Sequence, residues 1–182
     1  MRNKNLQKLI LASMFLAVAI VLPFVTAQNP DLGNMLLPMH LPVLLCGLVC
    51  GWYYGLAVGI IAPLFRSLVV GAPVFFPRAV IMACELGVYG LVIGLIYCLF
   101  RKQDVFKVYI SLISAMLVGR IVKGIVQFAI LGLNEKIFYA FVSGAFTEAI
   151  PGMILQLILI PAIMITFDKT KLVPFKKKGA LK

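Results

Sequence analysis

The chain has 182 residues, 63% of them hydrophobic and only 13% charged, with a formal net charge of +11. So much apolar surface excludes an ordinary soluble domain. With one histidine, six acidic residues and no GxxxxGKS/T, HExxH or GxSxG pattern, the chain has no P-loop and little catalytic machinery, so neither an enzyme nor a resident cofactor or metal is expected.

Runs of about 20 apolar residues recur, each long enough to cross a ~30 Å hydrocarbon core. They predict a single all-α integral membrane domain over residues 1–182, a bundle of six transmembrane helices at approximately 8–27, 36–51, 54–71, 78–100, 107–132 and 140–167. The links are QNPDLGN, GAPVFFPR, RKQDVFK and LNEKIFY, besides a tight turn at GWYYG. No repeat divides the chain into two equivalent halves, a common signature of secondary transporters.

The first span has a basic start and reaches Ala27. A cleaved signal peptide starts in the same way, but the apolar stretch is long, and a retained helix is the expectation. QNPDLGNMLLPMHLP then enters span two between Pro38 and Pro42. Asn34 and His40 stand there as candidate pocket residues, although a lone histidine serves equally as a structural hydrogen-bonding group. Gly47, Gly51, Gly55 and Gly59 recur every four residues across GWYYG. That spacing predicts a tight hairpin of spans two and three; close backbone approach to a ligand is its other use. Cys46, Cys50, Cys84 and Cys98 form neither CxxC nor a metal cluster and read as buried packing residues.

Arg66 and Arg78 stand at the ends of spans three and four as snorkelling anchors, with Arg78 also bordering a polar zone. Span four carries Glu85. Span five contains GRIVKGIVQF, in which Arg120, Lys123 and Gln127 share one helix face. In span six, TEAIPGMILQ carries Glu148 and then Pro151, which removes an amide donor and crowds the carbonyl of Thr147, predicting a kink beside a polar site.

Charge gives the orientation. Arg2, Lys4 and Lys8, then Arg101, Lys102 and Lys107, then Lys169, Lys171, Lys176, Lys177, Lys178 and Lys182 place twelve of the 17 Lys and Arg on one side. The positive-inside rule makes that side, and both termini, cytoplasmic. The net charge is then mainly topological, and the bilayer rather than nucleic acid is the expected macroscopic partner.

Within this arrangement Arg120 lies ~20 Å and Lys123 ~24 Å from the inner end of span five, while Glu85 and Glu148 lie ~10 Å and ~12 Å below the outer surface. Opposite charges on three helices thus meet at similar depth. Ionisable groups in a membrane face a partner or a wet cavity. The structural reading has Glu85 and Glu148 pairing with Arg120 and Lys123 to lock the bundle. The functional reading is an outward pocket whose charges, with Gln127, recognise a polar small molecule. A proton-coupled secondary transporter using either Glu, or a non-binding structural subunit, are the alternatives.

Over nearly its full length the chain resembles the substrate-binding S components of energy-coupling factor (ECF) vitamin transporters. LPMHLPVLLCGLVCGWYYGLAVGIIAPLFRSLVVG and FTEAIPGMILQLILIP carry the likeness. The resemblance implies a vitamin captured from outside beneath the loops Gln28 to Asn34 and Gly71 to Arg78, and a bacterial plasma-membrane location. It also implies a transmembrane coupling protein and two cytosolic ATPase subunits as partners, with the chain toppling to release its cargo. The family's coupling contact, a small-xxx-small pattern on the first helix, falls here on Ser13 and Ala17, with Ser13 departing from the alanine of the strict form. The resemblance favours a vitamin B6-like ligand, with pantothenate or a pyrimidine precursor as alternatives.

Overall fold

The computed structural model describes residues 4–26, 37–100, 103–144 and 149–170. Among these residues five helices are long and apolar enough to cross a membrane: α1 (Lys4–Thr26), α3 (Trp52–Val70), α4 (Val80–Leu99), α5 (Val105–Leu131) and α7 (Ile150–Lys169). An irregular helical turn, Phe75–Ala79, leads into α4. Two short helices, α2 (His40–Cys50) and α6 (Glu135–Val142), complete the described elements. No strand occurs among them, so the chain is an all-α, multi-pass membrane protein.

The expectation of six spans is corrected at two places. At 1.5 Å per residue, the 11 residues of α2 cover about 16 Å, half of the hydrocarbon core. Pro42 is accepted in its first turn, where a missing amide hydrogen leaves no bond unmade. The helix stops at Gly51, whose φ of +102° is closed to most side chains and whose N–H donates to the Gly47 carbonyl at 3.2 Å.

The second correction concerns residues 140–167. LNEKIFY is largely helix rather than link: Asn134 Oδ1 accepts the Ile137 N–H at 3.0 Å and starts α6. The spanning helix is Ile150–Lys169, with Pro151 in its first turn. There the proline opens the helix instead of kinking it.

Helix α4 is the centre of the bundle, packed by α2, α3 and α5. Glycine makes this possible. A Cβ on Gly55 would stand 2.6 Å from the Gly90 carbonyl oxygen and 2.8 Å from Gly47 Cα. The glycine row of α2 and α3 therefore seats both helices on α4, beyond the hairpin contact expected, and backbone rather than ligand fills the space. Two apolar cores flank α4. Tyr89, Ile93 and Tyr97 pack with Leu44 and Leu48 of α2, Leu112 and Met116 of α5, and Ile160 and Met164 of α7. Leu86 packs with Ala12 and Ala19 of α1 and with Cys46 and Cys50. Those two cysteines are buried packing residues, whereas Cys84 is half-buried and Cys98 exposed.

Electrostatic neighbours set the two ends of the bundle. Lys8 lies within reach of Cys50, and Asp104 and Asp168 both lie within reach of Tyr97. The starts of α1 and α5, the end of α7 and the GWYYG turn therefore share one end, here termed the basic end. Residues 37–40, 71–79 and 132–134 share the other. On α5, Ile113, Leu117, Ile121 and Ile125 form an exposed apolar stripe, the face for lipid.

Candidate functional site

With one stripe of α5 turned to lipid, its other face points inward. Leu112, Met116 and Arg120 follow one another at four-residue spacing there, as do Ala115, Gly119 and Lys123. The row changes from apolar to cationic one turn above the core of Ile93, Met116 and Ile160. Helix α4 changes at the same level, from Tyr89 to Glu85. Counted from the basic end, Glu85, Arg120 and Gln156 each lie about 20 Å along their helices. His40 joins them from the first residue of α2.

Glu85 is the hub and is fully buried. Lys123 Nζ stands 3.1 Å from its Oε2, Arg120 Nη1 3.8 Å and His40 Nε2 3.6 Å from its Oε1. Of these, the Lys123 contact is close, but it lacks hydrogen-bond alignment; the other two are too long for hydrogen bonds. The Tyr89 hydroxyl donates to Oε1 at 3.4 Å and reaches toward the Arg120 guanidinium, and its ring meets His40 edge-on at 5.2 Å. The carboxylate is thus held by three cationic or polar side chains through space, with one long hydrogen bond. A saturated structural ion pair would show short, aligned bonds on both oxygens.

Unfilled hydrogen-bonding capacity is the main feature, on Glu85 Oε2 as well as on the donors around it. All three Arg120 side-chain nitrogens, both His40 ring nitrogens and Gln156 Nε2 are buried without a hydrogen-bond partner among the described residues. Arg120 is 6% exposed, His40 2% and Gln156 2%. Lys123, at 22%, is the member open to access. Buried polar groups are normally satisfied, and an exception calls for an explanation.

The candidates named from sequence divide accordingly. His40, Glu85, Arg120 and Lys123 come together. Gln127 lies one turn beyond Lys123, half-buried, and its side chain makes no hydrogen bond among the described residues, so it stays outside the ion cluster. Arg78 is exposed in the turn before α4 and forms no ion pair among the described residues, so the structure does not bring it into the cluster. Arg66 is corrected too: rather than snorkelling it is 8% exposed, with its guanidinium 5.6 Å from the Phe24 ring centroid, a cation–π contact. Asn34 and Glu148, and the loop Gln28 to Asn34, lie outside the described residues. Ser13 and Ala17 are exposed on α1; the small residues that α1 turns into this subunit are Ala12 and Ala19.

Two members were not named from sequence. Tyr89 reads as a core aromatic, yet its spacing of four from Glu85 places it on the same face. Gln156 is a lone amide in an apolar span, and that isolation is itself the signal.

Over residues 7–164 the chain matches the family model described as ECF transporter, substrate-specific component. No curated protein and no solved structure matches it significantly. The match takes in every element that builds the polar cluster, from α1 to the core of α7. The chain belongs to the ECF transporter substrate-specific components, the transport subunits that bind substrate for an ECF importer.

Proposed function

We propose that the cluster of His40, Glu85, Tyr89, Arg120 and Lys123 is the substrate site, and that it captures a small water-soluble vitamin or precursor from the outer side of a bacterial plasma membrane. One observation supports this above the rest: the buried nitrogens of Arg120 and His40 and one oxygen of the fully buried Glu85 carboxylate stand close together without hydrogen-bond partners among the described residues. Arg120 and Lys123 against Glu85 leave one positive charge in excess among the described residues, which favours a ligand rich in acceptors. The His40–Tyr89 edge contact offers aromatic surface to a heterocycle, in keeping with the B6-like ligand that the resemblance favours; pantothenate and pyrimidine precursors present acceptors of the same kind.

The basic end is the cytoplasmic one in this reading, as the positive-inside rule requires. The site then opens outward, beneath the turn at 71–79. Asn34, Arg78, Gln127 and Glu148 serve as its rim. A transmembrane coupling protein docks on Ser13 and Ala17, and two ATPase subunits supply the energy.

The test is mass spectrometry of small molecules released from the purified, denatured protein. A polar solute of vitamin size is expected with the wild type and is lost from Arg120→Met and Lys123→Met. Uptake driven by a pH gradient into vesicles containing this chain alone would replace the reading with a secondary transporter.

A further inference from the structure

Arg120 and Gln156 share an unusual condition. Both are more than nine-tenths buried, and both present nitrogen donors with no acceptor among the described residues. Helices α5 and α7 run in opposite directions, since Asp104 before α5 and Asp168 near the end of α7 both neighbour Tyr97. Leu112 and Met116 on α5 and Ile160 and Met164 on α7 occupy one core. One turn farther from the basic end, each helix reaches its polar residue: Arg120 four after Met116, Gln156 four before Ile160. The two donor groups therefore stand at one level on facing helices.

We propose that Arg120 and Gln156 together grip a carboxylate of the transported solute. The chemistry is specific. A guanidinium is a planar fork that matches the two oxygens of a carboxylate. An amide NH2 adds two donors to the same oxygens. Glu85 does not fill that role in this structure: Arg120 Nη1 is 3.8 Å from it and Arg120 makes no hydrogen bond to it. Glu85 and Lys123, already paired at 3.1 Å, are left to bind the polar remainder. The inference rests on the substrate-site reading above. Within it, the choice turns toward carboxylate-bearing solutes and away from neutral pyridine alcohols.

Two matched probe pairs test it: pantothenate against panthenol, and 4-pyridoxate against pyridoxine, each pair differing in a carboxylate replaced by an alcohol. Binding is measured by titration of the purified protein in detergent, with thermal unfolding of each variant alongside. In the scaffold that binds, the carboxylate member is expected to bind at least tenfold tighter. Gln156→Leu should lower that preference about tenfold, weakening the carboxylate member far more than the alcohol. Gln156→Glu should abolish carboxylate binding, whereas Gln156→Asn should retain part of it. A general packing defect from Gln156→Leu would instead weaken both members together, and that outcome overturns the assignment. So does equal affinity within each pair, or binding of none of the four probes. If the alcohols bind and Lys123→Met weakens them, the carboxylate assignment falls and the substrate site stands. If carboxylates bind but are indifferent to both Arg120→Met and Lys123→Met, the substrate site falls as well.

Discussion

Glu85 is answered by several partners, and that plurality sets how single changes behave. Lys123→Met leaves Arg120 and His40 facing the carboxylate. Glu85→Gln leaves two cations without their shared anion. The loss of stability should therefore be greater for Glu85→Gln, toward the ~3–5 kcal/mol of a broken buried pair. Binding should respond differently. Lys123→Met is expected to weaken binding of the co-purified solute by roughly ten- to hundredfold, the ~1.5–3 kcal/mol of a charged hydrogen bond. The double variant Lys123→Met with Glu85→Gln should recover part of the stability lost in Glu85→Gln, since only Arg120 then lacks its anion, but not binding. Titration and thermal unfolding of the three variants decide it: unchanged affinity in Lys123→Met, with stability restored in the double, would make the cluster a structural lock. Glu85, Arg120 and Lys123 were legible in the sequence because charge in an apolar helix demands a partner. Tyr89 and Gln156 were not, since an aromatic ring or an amide is tolerated in a core and gains meaning only from what faces it.

At the scale of elements, the glycine contact between α3 and α4 predicts a sharp positional contrast. A Cβ on Gly90 would meet the backbone of Gly55, which has no rotamer to yield, whereas one on Gly144 meets nothing within 4 Å among the described residues. Gly90→Ala should lower stability by about 1–3 kcal/mol or more, and Gly144→Ala should stay within about 0.5 kcal/mol. Thermal unfolding in detergent checks both, and equal melting temperatures would show that α3 and α4 do not pack this closely. Pro151→Ala supplies a second check. At the start of α7 the proline breaks no helical hydrogen bond, so its replacement should change stability by less than about 1 kcal/mol; a large gain would indicate the kink that the bare sequence suggests. Hydropathy alone gave the long helices to within a few residues. It overran α2 and misjudged the start of α7, because apolar composition does not report where a glycine turn or a capping Asn134 stops and starts the backbone hydrogen bonds.

For the whole molecule the question is which surface meets the rest of the transporter. Helix α1 turns Ala12 and Ala19 inward and exposes Ser13 and Ala17 among Leu9, Met14 and Val18. Ser13→Trp or Ala17→Trp should abolish cellular uptake and leave substrate binding by the isolated chain intact, because bulk at a close helix contact blocks docking. Equal loss of both activities in a transport assay paired with titration would assign these residues to the fold of the chain itself. The sequence by itself determined the class of molecule, a multi-pass helical membrane protein of the ECF substrate-specific family, and nominated most of the buried charges. It could do so because apolar length and intramembrane charge are local properties, readable within one helix. The tertiary structure decided the meeting of α2, α4 and α5 at Glu85, the seating of glycines on α4, and the placing of Gln156 level with Arg120. Those depend on the rotation and depth of each helix against the others, which close packing sets and no single span encodes.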